Sequence, residues 1–312
     1  MTRLAFVFPG QGSQSVGMMG DWGDYQPVVD KTFEQASDAL GEDLAAIVRE
    51  GPEERLNQTE ITQPAMLAAG IAAWRVWRTA RQPNAEIMAG HSLGEYTALV
   101  ASGSLDFGDA IQLVAERGRL MQQAVAEGQG AMAAIIGLTD EQVQEACFDI
   151  QEGVVSPVNY NSPGQVVIAG DKAAVEKAME AAKALGAKRA LPLPVSVPSH
   201  CSLMKPAADA LYEKLKTVGI QMPKVPVVHN QNADIAQNAD GIRWRLRDQL
   251  YQPVLWVDCV QMLQRQGADT LIELGPGKVL TGLARRIDKS LTALPVFDAA
   301  SLEKAKQQIS GE

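Results

Sequence analysis

The chain has 312 residues and a formal net charge of −9 at pH 7, from 37 acidic and 28 basic side chains. Proteins that bind nucleic acid need clustered lysine and arginine for phosphate contacts, so this charge argues against that class. Cys147, Cys201 and Cys259 are odd in number and lack metal-ligand spacing, so we expect neither a disulfide framework nor a metal site. No stretch is long and apolar enough to cross a membrane, and the apolar run at the N-terminus is too short for a signal peptide. We therefore expect a cytoplasmic protein that binds neither nucleic acid nor membrane.

The first 126 residues alternate apolar, strand-like runs with helical patterns. Residues 4–8 are apolar and end at Pro9, which predicts a buried strand followed by the glycine-bearing loop 10–14. A second apolar run ends at Gly90. Apolar side chains at helical spacing predict helices over residues 27–40, 62–80 and 106–125. Strands that alternate with helices imply a parallel sheet covered on both faces.

The middle of the chain has a different order of elements. Thr139-Asp-Glu-Gln142 has the form of a capping box, and Asp171 is the expected cap of a later helix. Strand patterns at residues 131–137, 154–160, 165–169 and 188–191 are interleaved with helical patterns at 139–150 and 171–185. This β-α-β-β-α-β order is the ferredoxin-like pattern. It predicts a small domain, residues 127–196, inserted into a larger α/β domain made of residues 1–126 and 197–312.

After the small domain, the alternation of helix and strand resumes and is expected to complete the larger parallel sheet. The predicted elements are a helix from residue 203, a strand at 225–228, helices at 240–250 and 254–264, a strand at 270–274 and a helix at 278–287.

The pattern Gly90-His-Ser-Leu-Gly94 lies between an apolar strand and a helical segment. It is the sequence form of a nucleophile elbow, in which a strand turns sharply into a helix with the serine at the corner. A Cβ at Gly90 or Gly94 would crowd this turn. The corner exposes the Oγ of Ser92 near the positive end of a helix, where a developing oxyanion can be stabilised. We therefore predict that Ser92 is a nucleophile.

A serine hydroxyl needs a base to take its proton, and the chain has three histidines. His91 is a poor candidate, because adjacent side chains at a sharp turn point in different directions. His229 follows an apolar strand and is better interpreted as a satisfied histidine of the surface or core. His200 lies where the small domain returns the chain to the larger one, just before a helix, which suits a functional side chain on a supported backbone. We predict that His200 is the base.

Arg117 lies beside the apolar face of the predicted helix 106–125. Its spacing alone slightly favours a guanidinium that pairs with Glu116 or extends to water. The alternative is a guanidinium that faces the pocket and binds a substrate carboxylate through two parallel hydrogen bonds.

Six motifs, taken in order, resemble those of the malonyl-CoA:acyl-carrier-protein transacylases of bacterial fatty acid synthesis. They are Phe8-Pro-Gly-Gln-Gly-Ser-Gln14, Gly90-His-Ser-Leu-Gly-Glu95, the helix around Arg117, Asn159-Tyr-Asn-Ser-Pro-Gly-Gln165, Val197-Pro-Ser-His-Cys201 and Glu273-Leu-Gly-Pro-Gly-Lys278. The resemblance covers nearly the whole chain. It implies an α/β fold, with a large α/β-hydrolase-like domain and an inserted ferredoxin-like domain.

The same resemblance implies roles for the residues already singled out. Ser92 would be the acylated nucleophile, His200 the general base and later the general acid, and Arg117 the clamp for the malonyl carboxylate. The segment 197–200 is similar to that of the free-standing enzymes and differs from the signatures of modular polyketide synthases, so malonyl is the expected acyl group.

Further roles follow from the resemblance alone. The N–H groups of Gln11 and Leu93 would form the oxyanion hole, and the backbone carbonyl of Gln249 would orient the histidine in place of a triad carboxylate. Additional amides expected to line the pocket are those of Gln63, Asn161 and Gln165.

The implied reaction moves a malonyl group from malonyl-CoA to the pantetheine thiol of acyl carrier protein, by ping-pong kinetics and without a cofactor. Carrier proteins are acidic, as this chain is, so docking requires a local positive patch. The candidate pairs are Lys188 with Arg189 and Arg285 with Arg286. Two alternatives stay open: a thioesterase or esterase that uses the same elbow, and a non-catalytic domain that only docks carrier proteins.

Overall fold

The structure, a computed structural model that describes residues 2–195 and 197–311, is built on two β-sheets. The strands of the larger sheet are β1 (Leu4–Phe8), β2 (Ile87–Gly90), β7 (Val227–His229), β8 (Asp234–Ile235), β9 (Thr270–Leu274) and β10 (Thr292–Val296). The strands of the smaller sheet are β3 (Gly130–Ile136), β4 (Val155–Ser162), β5 (Gln165–Asp171) and β6 (Arg189–Pro192).

Helices precede, separate and follow these strands. They are α1 (Gln26–Leu40), α2 (Leu44–Glu50), α3 (Glu53–Leu56), α4 (Thr59–Thr79), α5 (Gly94–Ala101), α6 (Phe107–Ala124), α7 (Asp140–Phe148), α8 (Lys172–Ala184), α9 (Lys205–Leu215), α10 (Ala239–Asp248), α11 (Trp256–Arg265), α12 (Val279–Ile287) and α13 (Ala299–Ser310). Single 3₁₀ turns lie at Gly23–Tyr25 and Ser202–Met204.

The larger sheet has the strand order β10-β9-β1-β2-β7-β8, and all pairings are parallel except that of β7 with β8. Every residue of β1 is buried, as expected for a central parallel strand covered on both faces. Phe8 pairs in register with Gly90, so β1 and β2 end at the same edge of the sheet. The loops that follow these two strands therefore leave the sheet side by side.

The smaller sheet is antiparallel, with the order β4-β5-β3-β6. Helices α7 and α8 pack on one face, over a core that includes Ile135 and Val166. The other face carries Met132 and Val167, which pack with Cys201. The predicted α/β class, a mostly parallel sheet with a separate antiparallel one, is confirmed. The division into domains at residues 127–196 stays a prediction, and residue 196 lies outside the described residues.

Local details differ from the sequence-based expectations at several points. Strand β10 and helices α2 and α13 were not predicted. The capping box at Thr139 and Gln142 is present, but the expected side-chain cap at Asp171 is wrong. The carboxylate of Asp171 accepts instead from the N–H of Val154, at 2.6 Å, and so holds the chain before β4. Within the described ranges, none of the helices combines the length and apolar character needed to cross a membrane.

Candidate active site

The turn between β2 and α5 places Ser92 at a corner with a left-handed backbone, φ 52°. A Cβ on Gly90 would lie 1.9 Å from the carbonyl carbon of Gly94, and one on Gly94 would lie 2.1 Å from the carbonyl oxygen of Phe8. Contacts this short are sterically impossible, so both positions require glycine. The left-handed backbone of Ser92 is a strained conformation of the kind found at functional turns, and here it directs the serine side chain away from the sheet edge.

His200 meets this serine from the segment that precedes α9. Its Nε2 lies 2.8 Å from the Oγ of Ser92, and its Nδ1 lies 2.6 Å from the backbone carbonyl oxygen of Gln249. Because a carbonyl can only accept, Nδ1 carries the proton and Nε2 is free to accept one from the serine. The backbone N–H of His200 also donates to the carbonyl of Leu250 at 2.9 Å. This bond anchors the backbone of the histidine to the segment that follows α10.

The imidazole of His200 is kept neutral by its surroundings. Burial, with a further contribution from the positive charge of Arg117, lowers the pKa of His200 to about 3, although the bond to the Gln249 carbonyl opposes the shift. A neutral imidazole is the form that can act as a general base. The site is therefore poised for proton abstraction at neutral pH.

Arg117 is buried, with 1% of its surface exposed, on the face of α6 that points toward the serine. Its Nη1 donates to Gln63 Oε1 at 2.7 Å, and its Nη2 donates to Gln249 Oε1 at 3.0 Å and to the Oγ of Ser92 at 3.4 Å. The expectation from spacing, a guanidinium paired with Glu116 or extended to water, is wrong. It is Arg119 that pairs with Glu116.

The cavity around these side chains has a volume of about 110 Å³. This is well below the roughly 300–1,000 Å³ of drug-sized ligand pockets, so it suits a small acyl group. Gln11 and Leu93 line it, and within the described part of the chain their backbone N–H groups donate to no acceptor. The loops after β1 and β2 thus each contribute to the cavity a residue whose backbone N–H is unpaired among the described residues.

The geometry can be compared with known proteins. The family model described as acyl transferase domain matches residues 5–308. The malonyl CoA-acyl carrier protein transacylase of Escherichia coli strain K12 is 56% identical over 306 residues, which cover 98% of this chain and 99% of that relative. This chain belongs to the malonyl CoA-acyl carrier protein transacylase family.

Solved structures of transacylases agree with this assignment. An acyl carrier protein S-malonyltransferase from Vibrio cholerae matches with a TM-score of 0.94 and 55% identity, covering 97% of this chain and 100% of that one. A malonyl-transacylase solved in complex with a holo type II PKS acyl carrier protein matches with a TM-score of 0.96 and 56% identity, covering 98% of this chain and 100% of that one.

The three further amides that the resemblance to transacylases suggested do not line the cavity, and they occupy three different places. Gln63 is fully buried and lies behind Arg117, which it binds. Asn161 Oδ1 accepts from His91 Nε2 at 2.8 Å, and His91 lines the cavity. Gln165 was expected to line the pocket, and the structure places it elsewhere. Its Oε1 accepts from Arg286 Nη1 at 2.5 Å at the start of β5, so its side chain is directed to the rim of the small sheet.

Three further residues of this transacylase site were not predicted as site residues. Asn159 lines the cavity, and its side-chain oxygen is buried without a hydrogen-bond partner among the described residues. Asn230 accepts the N–H of Ser92 at 2.7 Å and donates to the carbonyl of Gly90 at 2.7 Å, which fixes the elbow. Glu95 is fully buried and binds His229 Nδ1 at 2.7 Å, so His229 is a satisfied core histidine, as predicted. Their spacing in sequence gave no signal for this convergence.

Proposed function

We propose that this protein transfers a malonyl group from malonyl-CoA to the phosphopantetheine thiol of acyl carrier protein, through a malonyl ester on Ser92. One observation carries the proposal. The serine Oγ lies 2.8 Å from His200 Nε2 and 3.4 Å from the guanidinium of Arg117, in a cavity of about 110 Å³. The base and the partner of the substrate carboxylate thus both lie close to the Oγ of the nucleophile.

In the first half-reaction, the Oγ of Ser92 attacks the thioester carbonyl while His200 Nε2 takes the hydroxyl proton. The new C–O bond forms as the carbonyl π electrons move to the oxygen. In this proposal, the N–H groups of Gln11 and Leu93 stabilise that oxyanion. Collapse of the intermediate breaks the C–S bond, and the imidazolium returns its proton to the CoA thiolate.

The second half-reaction runs in the reverse sense. The pantetheine thiol of the carrier gives its proton to His200 and attacks the malonyl ester. Collapse then breaks the ester C–O bond, and the proton returns to the Oγ of Ser92. The enzyme is regenerated without a cofactor, and CoA leaves before the carrier reacts, which gives ping-pong kinetics.

Arg117 provides the preference for a carboxylated acyl group. Its side chain is buried, and its contacts are with neutral amide oxygens and the serine hydroxyl. A guanidinium can bind a carboxylate through two parallel hydrogen bonds, which neutral acyl groups cannot supply. A malonyl group on Ser92 would place its free carboxylate within reach of this side chain.

The first alternative, a thioesterase, would pass the acyl group to water and is expected to orient its histidine with a carboxylate. In the described residues, the partner of His200 Nδ1 is the Gln249 carbonyl instead. The second alternative, a domain that only docks carrier proteins, does not require the contact between Ser92 and His200. We therefore favour transfer over both.

Intact-mass measurement after mixing with malonyl-CoA tests the proposal. We expect a malonyl adduct that is absent in Ser92→Ala and that added holo carrier protein discharges faster than water does. Rapid hydrolysis without a carrier would support the thioesterase instead. Failure to form an adduct on the unaltered protein would refute covalent transfer.

We also propose a docking surface for the acidic carrier on the rim of the small sheet. Ile136 pairs in register with Gln165 on one side and with Arg189 on the other, so these three side chains share one face. Arg286 extends from α12 and binds Gln165 across this rim. Two exposed arginines from distant segments therefore lie on one surface.

This surface continues toward the cavity. Leu191, which is 44% exposed, lies one step along the same face of β6. Beyond it, Leu193 and Met132 form part of the cavity wall beside Ser92. A carrier docked on the arginines would have an apolar path for its pantetheine arm. Lys188, whose side chain packs beside Gly137, adds a further positive charge at this rim.

The side chain of Arg285 does not extend to this surface. Its Nη2 donates to the carbonyl of Ala293 on β10, on the side of α12 away from the small sheet. We therefore assign it a smaller part in docking than Arg286. We expect the apparent Michaelis constant for carrier protein to rise more in Arg286→Glu and Arg189→Glu than in Arg285→Glu, while that for malonyl-CoA stays unchanged.

Lys183→Glu is a matched control for these variants. Lys183 is exposed on α8, which covers the opposite face of the same small sheet, and it pairs with Glu180. The same change of charge there should leave the Michaelis constant for the carrier unaltered. Equal effects at Lys183 and Arg189 would mean that only the net charge matters, and would remove this surface from consideration.

The three free cysteines of the described chain are buried, which fits a reducing compartment, and we propose that the protein acts in the cytoplasm.

A further inference from the structure

We propose that Glu95 is a positioning residue that sets the preference for carboxylated acyl groups. It fixes the side-chain amide of Gln249 so that Arg117 meets an amide oxygen in place of a carboxylate. The inference rests on the proposed role of Arg117 and adds a residue that has no contact with the acyl group.

The carboxylate of Glu95 lies in the first turn of α5 and is fully buried. Its Oε1 accepts from His229 Nδ1 at 2.7 Å. Its Oε2 accepts from the N–H of Asn230 at 2.9 Å and from Gln249 Nε2 at 2.8 Å. The three donors come from the end of β7 and the end of α10. One carboxylate therefore joins the elbow helix to the two segments that surround Ser92.

Glu95 determines which way the Gln249 amide faces. Gln249 Nε2 donates to Glu95 and, at 3.0 Å, to the carbonyl of Ser92, while Oε1 accepts from Arg117 Nη2. In the reversed orientation, the amide oxygen would face a carboxylate and a carbonyl, and the NH₂ group would face the guanidinium. Every one of these contacts would be repulsive. The observed orientation is therefore fixed by Glu95 together with the Ser92 carbonyl, and Glu95 is the charged member of this pair of acceptors.

This arrangement supports the charge of Arg117 through a neutral amide oxygen in place of a carboxylate. Among the described residues, the hydrogen-bond partners of its guanidinium are Gln63, Ser92 and Gln249, and none of them is a carboxylate. A buried charge without compensation is strongly destabilising. Burial lowers the pKa of Arg117, and the nearby Tyr96 and Glu95 oppose that shift. Glu95 provides negative charge one amide away, so the guanidinium stays available for the carboxylate of the substrate.

The test is the ratio of kcat/KM for acylation of Ser92 by malonyl-CoA to that by acetyl-CoA, measured by intact mass. Glu95→Gln keeps the shape of the side chain and removes its charge. We expect the ratio to fall by about tenfold, within the range of couplings between residues of one buried network. Acetyl transfer, which makes no use of the carboxylate clamp, should fall much less.

His229→Gln is the matched control, because it alters the other partner of the same carboxylate and leaves the bond to Gln249 in place. It should lower thermal stability and leave the ratio unchanged. If Glu95→Gln does not fold, Gln249→Met tests the same link, since it removes the amide and retains the backbone carbonyl that binds His200. An unchanged ratio in the folded test variant, or an equal fall in His229→Gln, would overturn the inference.

The effect of Arg117→Ala separates this inference from the proposed function. If Arg117→Ala loses malonyl selectivity but Glu95→Gln does not, the clamp stands and only the role of Glu95 fails. If Arg117→Ala itself leaves the ratio unchanged, the clamp fails as well.

Discussion

Replacing Arg117 with alanine is the most direct perturbation of the proposed acyl preference. The side chain is 1% exposed and lies 3.4 Å from the nucleophile, so its loss acts inside the cavity. In the variant, a malonyl carboxylate would enter a buried site with no cationic partner. The acetyl group carries no charge and would lose nothing comparable.

The size of the expected loss in kcat/KM follows from the burial of the ion pair between Arg117 and the malonyl carboxylate. Removing one partner of a buried ion pair is destabilising by about 3–5 kcal/mol, and about 1.4 kcal/mol corresponds to a factor of ten. We therefore expect kcat/KM for malonyl-CoA to fall by about 140- to 3,700-fold. For acetyl-CoA we expect a smaller fall or a rise, because an unpaired buried charge has been removed.

The assay is single-turnover acylation of Ser92 with each CoA ester, followed by discharge to holo carrier protein. Arg117→Lys should give an intermediate malonyl rate, because an ammonium keeps the charge and lacks the planar fork. Arg119→Ala is the control on the same helix, since Arg119 is 45% exposed and pairs with Glu116. Equal losses for malonyl and acetyl in Arg117→Ala would refute the clamp.

Other predictions concern the base and the elbow. Because the pKa of His200 is lowered to about 3, the acid limb of kcat/KM should lie well below the usual histidine pKa of about 6.5. Arg117→Ala should move that limb toward neutral pH, since it removes a charge that lowers this pKa; an unmoved limb would contradict the electrostatic cause. In the unfolded chain the same histidine binds a proton more readily, so the free energy of unfolding should fall as pH drops from about 6.5 toward 3, by at most about 1.4 kcal/mol per unit from this residue. In urea titrations, the His200→Asn variant should lack this contribution to the pH dependence of the free energy of unfolding. Gly94→Ala, whose Cβ would lie 2.1 Å from the Phe8 carbonyl oxygen, should unfold the elbow region, whereas Gly282→Ala in α12 meets open space and should raise stability by about 1 kcal/mol in thermal melts.

Local features of the site could be predicted from the sequence because their causes are local. The elbow depends on two glycines within five residues, and the clash distances at Gly90 and Gly94 show that the turn has no other solution. The capping box at Thr139 depends on two side chains three residues apart. The clash at Gly90 and the capping box involve residues within a few positions of each other, so the pattern was sufficient to predict them. The clash at Gly94 is with Phe8 on β1 and is seen only in the fold.

Elements without a strong local pattern were missed. Strand β10 contains Pro295, and a proline in an apolar run argues against a strand in the interior of a sheet. The structure places β10 at the sheet edge, where it pairs only with β9, so a missing N–H is tolerated. The edge position of β10, which the sequence does not reveal, is the reason that this strand tolerates a proline.

The pairing of Ser92 with His200 was anticipated from motifs, yet the buried network around it required the tertiary structure. Spacing along α6 wrongly favoured an exposed Arg117, because the amides that surround its guanidinium come from α4 and from the residue after α10. Glu95, Asn230 and Gln249 are far apart in sequence and meet only because α5 begins, and β7 and α10 end, at one edge of the sheet. Steric contacts between residues a few positions apart can be predicted from the sequence pattern. The burial of a charge depends on every element that packs around it, so it requires the tertiary structure.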